Sequence, residues 1–133
     1  MESVNGTAPV SKKMLWAGYI ISALPVIGLL GSGLIKIIQP AWAGLDVEIK
    51  RLGWDMSLAT GLGILEITCT IIYLIPRTAV FGAILVTAYL GGATATHVRI
   101  NDPFFGPVVF GILIWLGLWL RDTRLRTFIP LRS

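Results

Sequence analysis

The sequence predicts an all-α fold, a bundle of four membrane-crossing helices with an amphipathic interfacial segment between the first two. Composition is the first observation: in 133 residues, 55% are hydrophobic and 14% charged, with a mean hydropathy of +0.80. So few charges do not solvate the surface of a soluble domain of this size. The second is length, since four apolar runs of about 17 to 25 residues each suffice to cross roughly 30 Å of hydrocarbon. The expected spans are Met14–Ile38, Asp55–Ile75, Thr78–Val98 and Phe104–Leu120. Residues 1–13 are expected to be a disordered cytoplasmic tail, 14–120 the membrane domain and 121–133 a basic cytoplasmic tail.

The first run follows a polar stretch ending in Lys12-Lys13, as a secretory signal would, but it is longer than a signal's apolar region and lacks a convincing small-residue cleavage site. It is read as an uncleaved span. Pro25, Gly28, Gly31 and Gly33 soften its middle and let neighbouring backbones approach. The connection Gln39–Trp54 places Trp42, Leu45, Ile49 and Leu52 at three- and four-residue steps with charges between them, the pattern of a helix lying along the outer interface. It is positioned to cap the bundle.

Span two ends at Pro76-Arg77, which turns the chain into a short hairpin. Span three carries Gly82, Gly91, Gly92 and Ala93 with Thr87, Thr94 and Thr96, a small-residue face suited to close packing and cross-helix hydroxyl bonds. Asn101-Asp102-Pro103 forms the next turn, with Asn101 or Asp102 expected to cap span four. Trp115 and Trp119 then mark a packing face or an interfacial anchor.

Basic residues give the orientation, because Lys and Arg near span ends are retained on the cytoplasmic side. Lys12, Lys13, Arg77, Arg121, Arg124, Arg126 and Arg132 fall on one side; Lys50, Arg51 and Arg99 fall on the other. Both termini are therefore expected in the cytoplasm. The net charge of +4 is chiefly a topology signal with scope for anionic-lipid contact, and no recognition fold for nucleic acid accompanies it. The single cysteine, Cys69, has no partner for a disulfide or a CxxC centre and reads as a small buried apolar residue.

Glu66 stands out, because an ionised carboxylate at bilayer depth costs at least about 2.5 kcal/mol and normally faces a bundle interior, a partner or a water-filled cavity. It lies roughly 16 Å along its helix from Asp55 at 1.5 Å per residue. Lys36, Tyr89, Thr94 and His97 belong to the same outer half of the bundle, and all four are expected to line one cavity with Glu66. Gly63 and Thr70, three residues before and four after, are expected to leave room beside the carboxylate and to supply a nearby hydroxyl. Beside a protonated, neutral Glu66 that faces a lipid or another protein, two readings remain open. Lys36 and Glu66 form a buried ion pair that holds helices in register, or the cluster binds a small polar or quinone-like ligand or relays a proton. There is no phosphate loop, zinc spacing or dinucleotide fingerprint, and the lone His97 makes neither a metal site nor a haem site.

The residues resemble the DoxX-like family of small four-helix membrane proteins. The resemblance runs from Leu34 to Pro130 and rests on Lys36 after its glycines, Gly53-Trp54, Gly63 to Glu66 (GILE), Leu74 to Arg77 (LIPR), Gly82 to Ala93, Ala95 to Pro103 (ATHVRINDP) and the closing WLRD with RLR and Pro130. Asp55 departs from the pattern, where such proteins usually carry proline. The resemblance implies a four-helix bundle and a membrane location more than an activity, since members of the wider group are linked to thiosulfate:quinone oxidoreduction, to membrane oxidoreductase complexes and to assembly of receptor channels. With no cysteine pair or haem ligation, an enzyme acting alone is not expected. The expected cofactors are none beyond a quinone, and the partners are the bilayer and a membrane protein or second copy. The location expected is the bacterial inner (plasma) membrane.

Overall fold

The computed structural model describes residues 10–128. Most of the residues 1–13 and the last five of 121–133 lie outside that range. The described residues form six α-helices and short 3₁₀ turns. Helix α1 is Lys12–Ile38, α2 Leu45–Arg51, α3 Ala59–Leu74, α4 Ala79–Arg99, α5 Phe105–Arg121 and α6 Thr123–Phe128. The expected spans and these helices agree to within a few residues at each end. Three are long and apolar enough to cross a membrane: α1, α3 with its leading turn, and α4 with its leading turn. The fourth apolar helix, α5, is shorter at 17 residues.

Local chemistry sets the ends. Ser11 caps α1 by accepting from the Met14 amide, which satisfies one of the free donors of the first turn. The helix runs on through Pro25, which is buried in the bundle. Asp55 accepts from Ser57 N at 2.9 Å and opens the turn leading into α3, so the departure from proline there still starts a helix. Pro76 opens the tight turn between α3 and α4. Gly53 has φ +80°, in the left-handed region, and a Cβ there would also lie 2.8 Å from the Arg99 guanidinium. Asp102 does not cap α5. Its carboxylate turns back to Arg51 and His97, and Phe104 occupies the cap position without a side-chain bond.

The four long helices close a ring in which α1 packs on α3 and α5, and α4 on both of these as well. Val26, Leu29, Cys69, Tyr73, Val86, Ile114 and Leu118 form the shared core. Many large apolar side chains point outward instead, among them Ile27, Ile64, Ile84 and Ile112. That arrangement suits hydrocarbon as the surrounding medium. Glycines set how near the helices come: a Cβ at Gly33 would sit 3.1 Å from the Gly63 carbonyl, and one at Gly63 would sit 2.6 Å from the Gly33 carbonyl. The α1–α3 crossing therefore rests on two glycines face to face. Gly63 does not hollow out space beside Glu66, because α1 fills it.

Candidate functional site

Between the helices, at the end of the bundle where α2 lies, is a cavity of about 690 Å³ with a mostly apolar wall. Leu29, Leu62, Leu90 and Phe110 contribute from the four long helices, and α2 covers it with Leu45 and Ile49. Trp42, expected on that apolar face, is outside the cavity and 81% exposed. A ligand site of ordinary size occupies roughly 300 to 1,000 Å³ and is lined by apolar groups with a few placed polar ones. This cavity has that character.

Its polar group is built by three helices. Lys36 Nζ of α1 lies 2.6 Å from Glu66 Oε2 of α3, and Tyr89 of α4 donates its hydroxyl to the same oxygen at 3.0 Å. Ser32, one turn before Lys36, donates to Oε2 at 3.3 Å and accepts from Lys36 Nζ at 2.6 Å. Glu66 is only 3% exposed and Lys36 16%, so the charges neutralise each other largely out of water. An ion pair survives such burial when further hydrogen bonds complete it. All three donors converge on Oε2, and Oε1 takes part in none of these bonds.

Of the five residues expected to line one cavity, four do so: Lys36, Glu66, Tyr89 and His97. Thr94 does not. Its hydroxyl donates back to the Leu90 carbonyl at 2.8 Å, and its side lines a separate shallow groove between α4 and α5 with Thr87 and Trp115. Five residues beyond Tyr89 is about 140° around a helix, whereas Thr96 and His97 return to the cavity side. Thr70 likewise donates to its own helix, at the Glu66 carbonyl, and supplies nothing to the carboxylate. The cross-helix hydroxyl bond expected of α4 is made by Thr87, which accepts from Trp115 Nε1 at 2.7 Å.

Ser32 is the residue that sequence reasoning missed. A single serine among glycines reads as packing, and only its i−4 relation to Lys36 marks it. Asp102, which with Asn101 is one of two residues expected to cap α5, instead joins α2 to the α4–α5 turn. Arg51 grips it at 2.9 Å, His97 Nδ1 lies 2.6 Å from its other oxygen, and Arg51 also holds Glu48. Arg99 adds a bond to the Leu52 carbonyl at 2.5 Å. The Arg51 hydrogen bonds, with His97 second, hold Asp102 below the usual carboxylate range; the bond from Arg51 does the same for Glu48.

The cavity also reaches the side of the bundle, because Leu65 of α3 and Ala88 and Gly92 of α4 line it and are exposed. Compared with known proteins, the chain matches the family model described as DoxX-like family over residues 20–119. No curated protein and no solved structure matches it.

Proposed function

The chain belongs to the DoxX-like family, and from that premise we propose that it is a four-span membrane protein whose α2-side cavity binds a small, largely apolar ligand carrying oxygen functions, of the quinone class. The carrying observation is a carboxylate with one oxygen saturated by Lys36, Tyr89 and Ser32 and the other outside that network, set in the wall of a 690 Å³ apolar cavity. A ring hydroxyl of the ligand donates to Glu66 Oε1; a ring carbonyl accepts the remaining N–H of Lys36, whose other two go to Ser32 and Glu66. The exposed lining between α3 and α4 lets such a ligand enter from the lipid. In this reading α2 lies along the outer interface, both termini are cytoplasmic, and the protein serves in a bacterial inner membrane as a ligand-binding or accessory component of a redox complex. It does not carry electrons by itself.

A second reading has its own support. Glu66 is nearly inaccessible and its bond to Lys36 lies one turn from the Gly33–Gly63 contact, which suits a lock between α1 and α3 in a non-catalytic scaffold. Trp54 lines the cavity and reports on the difference. In detergent, a soluble quinone analogue is expected to quench wild-type fluorescence saturably, with the saturable component missing in Trp54→Phe and in Glu66→Gln. Quenching unaltered by Glu66→Gln would remove the binding reading. If Glu66→Gln fails to assemble, Tyr89→Phe takes away one donor without disturbing the ion pair and is expected to weaken binding.

A further inference from the structure

At the opposite end of the bundle, where α6 and the α3–α4 turn lie, three arginines follow one another and two have protein acceptors. Arg124 holds Asp122 at 3.0 Å and the Pro76 carbonyl at 3.2 Å. Arg126 takes the Trp119 and Leu120 carbonyls at 3.0 and 2.8 Å and lies over the Trp119 ring. Arg121 differs. Its Nε is buried with no hydrogen-bond partner among the described residues, and no described carboxylate pairs with it.

The Arg121 side chain is nonetheless held on three sides. Its guanidinium carbon lies 5.0 Å from the centroid of Tyr73 and 5.5 Å from that of Tyr19, so rings from α3 and α1 flank it. Tyr73 is fixed by bonds to Ser22 and the Ile114 carbonyl. A Cβ at Gly18 would lie 2.9 Å from Arg121 Cβ, so the arginine stem passes where α1 has no side chain. Ring faces attract the cation but accept poorly from its N–H edge, and a guanidinium presents a planar fork matched to phosphate. The C-terminal end of α5 favours the charge without accepting from it. A buried donor with no partner among the described residues is one that a ligand oxygen can satisfy.

We infer that Arg121, held between Tyr19 and Tyr73, is a binding site for a phosphate group. It sits at the last residue of α5, the depth of a phospholipid headgroup if that helix crosses the bilayer, and free phosphate presents the same chemistry from water. Native mass spectrometry of the detergent-solubilised chain separates the sources by titration with phosphatidylglycerol, with an uncharged phosphate-free galactolipid, and with inorganic phosphate. Retention of phosphatidylglycerol but not of the galactolipid is expected, weakened about tenfold by Arg121→Gln, the scale of a lost charged hydrogen bond. Arg77→Gln, at an exposed arginine of the same end, is expected to leave it unchanged. Competition by inorganic phosphate would assign the site to the free anion, and its absence to the headgroup; both keep the phosphate site. Equal retention by Arg121→Gln, an equal loss in Arg77→Gln, or no retention of either probe would overturn it. Should Arg121→Gln not fold, the ¹⁵Nε signal of Arg121 in the wild-type protein is the readout, and a signal that neither probe moves would also overturn the site.

Discussion

Among the described residues two polar networks join the helices of the bundle, and they are built on opposite plans. Near α2, Lys36, Ser32, Glu66 and Tyr89 bring charges together at the wall of an open cavity. Near α6, Ser22 donates to the Tyr73 hydroxyl, which donates to the Ile114 carbonyl at 2.9 Å, and the helices around them nearly touch. A Cβ on Gly82 would run into the Tyr73 backbone, and one on Gly117 into the Ser22 hydroxyl. The neutral network is closed and each hydroxyl is used, which is how buried polar groups contribute to a fixed core. The charged network leaves an acceptor and a volume unused. Burial therefore goes with role: the fully buried neutral network holds the helices together, and the part-buried charged one has room beside it to hold a guest.

The strongest test of that contrast breaks the charged network from one side. Lys36→Met leaves Glu66 buried without its counterion, and losing one partner of such a pair costs about 3–5 kcal/mol. The double variant Lys36→Met with Glu66→Leu removes both charges and is expected to regain most of that stability, measured as thermal unfolding in detergent. Quinone quenching stays absent in the double variant. If the double variant regains stability and also binds, the pair has no part in the cavity's chemistry.

The closed end is next. Gly82→Val forces a side chain against backbone rather than against a flexible tip, so overpacking is expected at the upper end of about 1–3 kcal/mol. Gly91→Val, on the same helix with nothing within 4 Å, is the control and is expected to unfold within a few degrees of wild type. Comparable losses in both would mean that the valine itself, rather than the α3–α4 approach, is responsible.

A matched pair of tyrosines sharpens the comparison further. Tyr73→Phe strands the Ile114 carbonyl and the Ser22 hydroxyl, a cost of about 1–3 kcal/mol, and leaves quinone quenching alone. Tyr89→Phe has the reverse pattern. Glu66 keeps Lys36 and Ser32, so stability changes little while quenching weakens. Should both variants lose stability and neither lose quenching, the two networks are the same kind of object.

Much of the fold could be read from the chain, because apolar run length and the Pro76 turn act locally and mark helices without any knowledge of their neighbours. The carboxylate and its lysine and tyrosine were legible for a related reason: polar groups are rare at that depth, so few partners exist. What could not be read was azimuth. Thr94 was grouped with Glu66 on depth alone, yet α4 turns it to the groove beside Trp115. Gly63 looked like room for a ligand and is room for α1. Both depend on which face each helix offers, and the weak amphipathicity of spans that are apolar all round conceals that. The use of Asp102 as a tie rather than as one of two candidate caps is hidden because its partner Arg51 lies 51 residues earlier in the chain.

The smallest effect expected concerns the ties between α2 and the α4–α5 turn, which belong to the open end and lie partly in water. Asp102 is held below its ordinary range by Arg51 and His97, and Glu48 by Arg51. A depressed carboxylate contributes stability that is complete above its unfolded value, about 3.9 for Asp and 4.3 for Glu, and is lost as pH falls through the lower folded value. Protection of α2 amides in hydrogen exchange, corrected for the intrinsic pH dependence, is therefore expected to be level from pH 7 to about 5 and to fall only below about pH 4. Half-exposed pairs contribute little, so the loss should be confined to α2 and its turn, leaving α3 protected. Asp102→Asn should show the weaker protection already at pH 7, with a shallower acid limb carried by Glu48 alone. If α3 loses protection together with α2, the cover and the bundle open as one, and the distinction between a closed end and an open one fails at its most exposed point.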